Sequence, residues 1–171
     1  GNTLPIQGPV SLGTKGLFEI QSPDAGLIRA TSYDVYTGNG WKQGKRDTER
    51  VDASATGVDE QEATYESRDV SILRVKLLDA QSTLLTPGSP IAANIDTTIE
   101  TPKGYDGDIE EMRSRRALTT GDTYNTIGTR SRASLTQLLE AGSDYPGWVT
   151  GRYLQLPDTL PGRVAEEAER V

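Results

Sequence analysis

The sequence of 171 residues contains no cysteine and no histidine. Such a chain has no thiolate nucleophile, no imidazole base and no disulfide, and it cannot form a zinc site from Cys and His ligands. It also lacks an apolar run of about 18 residues, which a membrane-spanning helix requires, and it has no signal-peptide pattern. These absences exclude thiol-based and histidine-based catalysis by the chain itself.

Bulky apolar side chains and positive charges are also scarce. Hydrophobic residues make up 34% of the chain and aromatic residues 6%, which predicts a thin hydrophobic core. The 25 acidic residues outnumber the 18 Lys and Arg residues, and the formal net charge is −7. Because a nucleic-acid binder normally presents a basic face, this charge argues against nucleic acid as a partner.

Residues 27–41 combine the strongest strand signal of the chain with its clearest turn. Val35 and Tyr36 favour a β-strand, and the Gly-Asn-Gly sequence at 38–40 favours a tight turn because both residue types tolerate positive φ. Trp41 follows the turn directly, and we expect its large ring to cover a hydrophobic core. The turn signal at 22–26 predicts a hairpin between this stretch and a short strand at 17–21.

The remaining strand signals predict a mainly antiparallel sheet structure. The alternation of residues 70–78 slips between Ile72 and Leu73, which predicts a β-bulge or a strand buried on both faces. Residues 91–100 alternate weakly and predict one or two edge strands. The segments 112–118 and 123–130 flank a turn signal, which predicts a second hairpin.

Two helices are expected in the last third of the sequence. Ser134 begins a capping-box pattern in front of a single apolar stripe, which predicts a short helix at about 134–141. This stripe consists of Leu135, Leu138 and Leu139. Pro161 suits the first helical position, so we expect a truncated C-terminal helix at about 161–171. The predicted fold is therefore mainly β, an antiparallel sandwich or open barrel with these two helices.

The polar stretch 42–68 has few bulky apolar side chains, and a loop of this length is usually mobile or functional. We predict a disordered excursion or a floppy hairpin, with a partner-binding flap as the alternative. The expected organisation is a β-rich domain at 1–150 that contains this loop. Residues 151–171 are then a linker and the start of a further unit.

Five patches together resemble a known family. They read GPVSLG at 8–13, RATSYDVYTGNGW at 29–41, YP at 145–146, RYLQLP at 152–157 and RVAEEA at 163–168. In their order and spacing they are similar to the extracytoplasmic segment of bacterial membrane-anchored transglutaminase-like proteins, which are often labelled cysteine proteases. The patches frame nearly the whole chain, whereas residues 42–99 match the family only loosely.

The resemblance implies a place within a larger protein. In that family, transmembrane helices precede a non-catalytic β-rich region, and a transglutaminase-like core with a Cys-His-Asp triad follows it. The chain would be the β-rich region together with the segment that leads into the core, and it would lie outside a bacterial cell membrane. Its implied partner is the downstream core, it would meet the membrane only through the parent's transmembrane helices, and no cofactor is implied. Because Cys and His are absent, no residue of this chain can be assigned to the triad.

Two charged clusters in the sequence are candidate ion-binding sites. Asp106, Asp108 and Glu110 stand at alternate positions and are a weak candidate for Ca²⁺, which prefers oxygen ligands. Their spacing is not that of an EF-hand loop, and an ordinary solvated acidic loop is the alternative. A small arginine cluster at 113–116 is either a solvated strand face or an anion site. No pair of carboxylates is singled out for glycoside hydrolysis.

Two functions are left open by the sequence. In the first, the chain positions or shields the downstream core of a transglutaminase-like protein. In the second, it is an independent extracellular binding module for cell-wall glycan, peptide or a protein partner. Exposed tryptophan rings would favour the second function, whereas buried rings beside exposed apolar residues would favour the first. The candidate interaction surface consists of Tyr36, Trp41, Trp148, Tyr153, Leu154 and Val164.

Overall fold

The structure, a computed structural model, describes residues 3–5, 14–23, 26–53, 67–104, 108–168 and 170. Within these residues the chain forms twelve strands and three short helices. The strands are β1 (Thr3–Pro5), β2 (Phe18–Gln21), β3 (Ile28–Arg29), β4 (Val35–Tyr36), β5 (Gly40–Lys42), β6 (Arg46–Val51), β7 (Arg68–Leu77), β8 (Thr86–Pro87), β9 (Ser89–Ala93), β10 (Thr97–Pro102), β11 (Glu111–Ser114) and β12 (Thr123–Ser131). The helices are α1 (Leu135–Glu140), α2 (Gly147–Tyr153) and α3 (Gly162–Ala168).

The pairing of these strands confirms the predicted mainly β, antiparallel fold, and the described strands do not close into a barrel. The chain divides into two compact units. The minor unit comprises Gly1–Leu12, Tyr33–Gly44 and Ser143–Val171, and the major unit comprises Gly13–Ser32 and Lys45–Gly142. The domain boundary expected at residue 150 stays a prediction.

The major unit contains a four-stranded sheet in the order β2-β7-β12-β9, a three-stranded sheet in the order β11-β10-β6, and the strand pair β3-β8. Its hydrophobic core takes Leu73, Val75 and Leu77 from one face of β7. Ile99 of β10 and Met112 of β11 belong to the same cluster, so the two larger sheets share one core. Full burial of each such side chain contributes about 1.5–3 kcal/mol relative to exposure.

Tyr124 of β12 is the largest fully buried side chain of this core. Its hydroxyl oxygen accepts a hydrogen bond from the Leu85 backbone N–H at 3.0 Å. Burial raises the pKa of the Tyr124 phenol, because the apolar surroundings disfavour the phenolate, and the Leu85 hydrogen bond partly opposes this shift. The phenol therefore satisfies a buried backbone donor while its ring fills the core.

The minor unit contains the sheet β1-β5-β4 together with α2 and α3. β4 and β5 form the tight turn that the sequence predicts, closed by a hydrogen bond from the Thr37 N–H to the Gly40 carbonyl at 2.9 Å. Gly38 has a φ of +87°, which explains the need for glycine at this position. The continuous strand expected before the turn is wrong, because residues 30–34 without regular structure separate β3 from β4.

Both predicted hairpins are wrong in their partners. β2 pairs with β7 rather than with β3, and β3 pairs with β8. β11 pairs with β10, whereas β12 lies between β7 and β9. The turn signal at 119–122 marks a real turn, whereas residues 24 and 25 of the signal at 22–26 lie outside the described residues. Strands close in sequence nevertheless join different sheets.

The slip expected in the strand at 70–78 is also wrong. β7 pairs with β12 in unbroken register from Arg68 to Lys76, with Leu73, Val75 and Leu77 inside. Val70 and Ile72 lie on its outer face and are exposed. The apparent change of phase therefore reflects apolar residues on a solvent-facing surface rather than a bulge.

The polar stretch 42–68 contains a strand that the sequence reasoning missed. β6 pairs with β10 over six residue pairs, so its backbone groups are satisfied without an apolar face. Residues 54–66 of the predicted loop lie outside the described residues. The segment 91–100 forms parts of β9 and β10, which confirms the alternative of two strands. β9 is an edge strand as expected, but β10 is not, because it lies between β11 and β6.

The helices agree with the sequence only in part. The capping box is confirmed, with the Ser134 hydroxyl accepting from the Gln137 N–H and the Gln137 side chain accepting from the Ser134 N–H. The leucine stripe of α1 is exposed rather than packed. α2 is a helix that the sequence did not predict: Pro146, with a φ of −52°, precedes it, and Gly147 and Gly151 weaken its helical signal.

Candidate functional site

The minor unit contains a buried ion pair between Asp34 and Arg152. Asp34 lies just before β4 and is 1% exposed, and Arg152 is in the last turn of α2. The Arg152 Nη2 atom lies 2.7 Å from Asp34 Oδ2, and the Gly44 N–H donates to Asp34 Oδ1 at 2.7 Å. Gln155 adds a tie, because its Nε2 donates to the backbone oxygens of Asp34 and Arg152, each at 2.9 Å. These contacts hold α2 and the following residues against the β4–β5 hairpin.

Gly44 is required by the same arrangement. A Cβ atom built at Gly44 would lie 2.5 Å from Asp34 Oδ2, which is closer than real Cβ contacts allow. The carboxylate therefore sits directly against the backbone of residue 44. This packing fixes Asp34 in place and leaves it no room to receive a substrate, so the pair is a positioning device rather than a catalytic group.

The aromatic residues of the candidate surface form two packed pairs. The rings of Tyr36 and Trp41 have centroids 5.2 Å apart, and the rings of Trp148 and Tyr153 meet edge to face at 6.3 Å. Both tryptophans are partly buried. Trp41, which was expected to cover a hydrophobic core, lies in the minor unit and packs on Tyr36. These rings pack against one another within the minor unit, so they do not form an open surface on which a ligand could stack.

Apolar side chains next to these pairs remain exposed. Leu154 is 53% exposed, Leu156 is 62% exposed, and Val164 of α3 is 44% exposed. They stand after Arg152 in sequence and within the minor unit. We call these three residues the apolar face. Large apolar side chains left exposed in this way are candidates for an interaction surface.

The six residues of the predicted interaction surface therefore all fall in the minor unit. The structure pairs Tyr36 with Trp41 and Trp148 with Tyr153, and it leaves Leu154 and Val164 exposed. The sequence reasoning missed Asp34, Arg152 and Gln155. Asp34 and Arg152 stood in the quoted family patches, but nothing in their local sequence indicates that the two patches touch.

A second buried charge cluster lies in the major unit. Arg46 of β6 is 6% exposed in its side chain, and its guanidinium contacts Glu100 at 2.9 Å, Glu110 at 3.0 Å and Glu111 at 3.5 Å. Glu110 also accepts a hydrogen bond from the Ser32 hydroxyl at 2.9 Å. Arg113 Nη2 lies 2.5 Å from Glu111. We call this set the Arg46 cluster, and its carboxylates are neutralised by arginines inside the fold.

The proposed calcium ligands Asp108 and Glu110 lie in different environments. Glu110 is buried beside Arg46, whereas Asp108 is exposed and Asp106 lies outside the described residues. No group of three or more carboxylate side chains suited to a metal ion occurs in the part of the chain that the structure describes. The calcium site stays a prediction, with Arg46 occupying the position that a cation would take beside Glu110.

The arginine cluster at 113–116 does not act as one unit. Arg113 contacts Glu111, Arg115 lies 2.6 Å from Asp52, and Arg116 lies 3.3 Å from Asp122. Each guanidinium thus has a carboxylate neighbour of its own. This arrangement favours the interpretation of a charged strand surface over an anion site.

Two aspartates of the major unit have lowered pKa values. The Lys15 ammonium holds the pKa of Asp79 below its usual value through a hydrogen bond of 2.8 Å. The Thr119 backbone N–H does the same for Asp122, with help from Arg116. Both aspartates are partly exposed, so these hydrogen bonds hold surface turns and do not indicate an acid–base catalyst.

Comparison of the chain with protein-family models, with curated proteins and with solved structures finds no match. The helices within the described residues are all too short and too polar to cross a bilayer. Functional inference therefore depends on the geometry of the two units and on the resemblance stated above.

Proposed function

We propose that the chain is a non-catalytic accessory region of a bacterial membrane-anchored transglutaminase-like protein, and that it positions or shields the adjacent catalytic core outside the membrane. The absence of cysteine rules out cysteine-protease-type catalysis by this chain. The enzyme activity would belong to the core of the parent protein. The accessory region would supply a fixed surface beside it.

The observation that supports this proposal most is the contact between the family patches at 29–41 and 152–157. Asp34 belongs to the patch at 29–41, and Arg152 and Gln155 belong to the patch at 152–157. Gln155 and Asp34 are 121 positions apart in sequence, yet they share a hydrogen bond beside the buried ion pair. A chance likeness of two separate patches gives no reason for them to meet, whereas a shared structural role does.

The apolar face gives the accessory region a surface for the core. Leu154, Leu156 and Val164 follow the Asp34–Arg152 pair, which holds their segment in place. Burial of three such side chains in a contact would stabilise it through the hydrophobic effect. A core that follows this segment in the parent protein would meet the apolar face first.

The alternative function, an independent binding module for glycan, peptide or protein, depends on open aromatic rings. Trp41 and Trp148 are both partly buried and packed against tyrosines. This packing favours the accessory function, since the large apolar side chains left exposed in the minor unit are mostly aliphatic, with Tyr145 as the aromatic one. Aliphatic surface suits contact with another folded domain better than stacking on sugar rings.

The gene that encodes the parent protein gives the first test. The proposal expects codons for a cysteine, a histidine and an aspartate, in that order, after Val171, and apolar spans before Gly1. A stop codon soon after Val171 would contradict it directly.

A surface substitution in the parent protein gives the second test. The variant Leu154→Ser with Leu156→Ser should raise the rate at which a thiol reagent modifies the core cysteine several-fold. The matched control is Leu135→Ser with Leu138→Ser, which removes two leucines that are at least as exposed, from α1 in the major unit. Exposed substitutions of this kind change folding stability by less than about 0.5 kcal/mol. Equal labelling rates in both variants would refute a shielding role of the apolar face.

A further inference from the structure

The major unit contains a groove of about 980 Å³ that neither the sequence reasoning nor the proposed function uses. One wall is formed by residues 26–31, and the other by the start of β7 and the end of β12. The volume lies at the upper end of the range for ligand-binding clefts, which suits an extended ligand. Gly88 also lines the groove; its φ is +81°, and a Cβ there would clash with the Thr129 carbonyl.

The groove is cationic although the chain as a whole is acidic. The described residues that line it include four arginines and one carboxylate, that of Asp69. The arginines are Arg29, Arg68, Arg130 and Arg132. In a chain with a net charge of −7, this local excess of positive charge gives the groove the opposite sign to the protein. Such a potential attracts an anionic ligand.

Two of these arginines are well placed to change partners. Arg29 Nη2 donates to the neutral hydroxyl of Ser32 at 2.8 Å, which uses one of its five N–H donors. Arg132 lies 2.7 Å from Asp69, but both side chains are more than half exposed. An ion pair this exposed contributes at most about 1 kcal/mol, so a ligand carboxylate can replace Asp69 at little cost.

Apolar residues stand beside the charges on the same wall. Leu27 is 90% exposed, and Ile28 is also exposed despite belonging to β3. Among the described strands β3 pairs with β8 alone, so a bound chain can add main-chain hydrogen bonds at its other edge. The lining therefore offers guanidinium groups, apolar contact and a strand edge together.

From these features we infer that the groove binds an extended acidic peptide, whose carboxylates pair with Arg29 and Arg132 while an apolar side chain packs on Leu27 and Ile28. Guanidinium groups bind carboxylates through two parallel hydrogen bonds, which gives direction as well as affinity. Nucleic acid fits less well, because the described lining contains no aromatic side chain for base stacking. The site is in the major unit and does not depend on the proposed function of the apolar face.

The test uses the 171-residue chain and two fluorescein-labelled hexapeptides. One peptide alternates Glu and Leu, and the other alternates Gln and Leu. Fluorescence anisotropy should show binding of the acidic peptide, weakened when the ionic strength rises from about 0.05 M to about 0.5 M. The amide peptide should bind at least about tenfold more weakly, because it cannot form the charged pairs.

Matched variants locate the site. Arg132→Gln and Leu27→Ser should each weaken binding of the acidic peptide by about threefold to tenfold. Arg116→Gln is the control: it removes the same charge from an exposed arginine that lies outside the groove, and it should change binding by less than twofold.

Three results would overturn the inference. The first is equal binding of the acidic and amide peptides. The second is equal weakening by Arg132→Gln and Arg116→Gln, which would indicate a general charge effect. The third is the absence of peptide binding up to about 1 mM. Binding of anionic phosphatidylglycerol vesicles in place of the peptide would also overturn the inference, because the ligand would then be a membrane surface.

Discussion

Replacing Arg46 with methionine should destabilise the major unit strongly. Methionine has a similar length but no charge, so the change removes the guanidinium from Glu110, which is 1% exposed in its side chain, and from Glu111, which is 2% exposed. Removing one partner of a buried ion pair costs about 3–5 kcal/mol, because the remaining charge stays in an apolar environment. Arg113 still lies 2.5 Å from Glu111, so we expect the lower end of this range, about 3 kcal/mol.

The cost can be measured by urea denaturation, with amide hydrogen exchange of β10 as a local readout. In a chain of this size, 1 kcal/mol shifts the melting temperature by about 2–4 °C, so Arg46→Met should lower it by roughly 6–12 °C. Arg115→Met is the control. Arg115 lies 2.6 Å from Asp52, but the Asp52 side chain is 70% exposed, so its loss should cost less than about 1 kcal/mol.

A double variant separates lost charge pairing from lost packing. Adding Glu110→Gln to Arg46→Met removes one of the stranded carboxylates and should restore part of the stability, on the order of 1 kcal/mol or more. Equal destabilisation by Arg46→Met and Arg115→Met would refute the reasoning. So would a double variant that is less stable than Arg46→Met alone, since the carboxylate would then not be the source of the loss.

Three further predictions follow from single contacts. Gly44→Ala should lower the melting temperature and change the near-ultraviolet circular dichroism of the minor unit, because its Cβ would press on Asp34 Oδ2; an unchanged spectrum would contradict this packing. Tyr124→Phe should cost about 1–3 kcal/mol at neutral pH, since it leaves a buried N–H without its acceptor. Because burial raises the pKa of Tyr124, its stabilising effect is complete below the unfolded pKa of about 10 and is lost as the pH rises through the higher pKa of the folded state. The free energy of unfolding of Tyr124→Phe, measured in urea, should therefore fall less steeply at alkaline pH than that of the unmodified chain. The pKa of Asp122 is lowered from 3.8, so its contribution to stability is present above that pH and is lost as the pH falls further. In the same assay, the free energy of unfolding of Asp122→Asn should therefore depend less on pH in acid than that of the unmodified chain. The same acid dependence in both chains would contradict the role of the hydrogen bonds that Asp122 accepts in its turn.

Local signals in the sequence predicted the parts of the fold that depend on neighbours in the chain. The capping box at Ser134 and the glycine turn at 38–40 each involve residues within four positions of one another, and both are confirmed. The mainly β class also followed from short alternating runs bounded by turn residues. These features require no knowledge of what lies across the sheet.

Strand partners could not be predicted in the same way. The turn at 119–122 is present, yet the strands around it join different sheets. β6 has almost no apolar residues, and it forms because β10 satisfies its backbone and because Arg46 finds carboxylates inside. A window of sequence shows neither condition, since both depend on residues about 50 positions or more away. The same limit hid the contact of Asp34 with Arg152.

The two buried arginines suggest how a chain with so few apolar residues specifies its structure. Arg46 joins β6 to carboxylates on β10 and β11, and Arg152 joins α2 to Asp34 beside the β4–β5 hairpin. Buried ion pairs add little net stability, because desolvation offsets most of the attraction. They do penalise every arrangement that leaves a charge buried without its partner, which a generic apolar contact does not. In each unit a single guanidinium therefore favours the fold in which its distant carboxylate partners lie beside it. The apolar contacts then stabilise that arrangement.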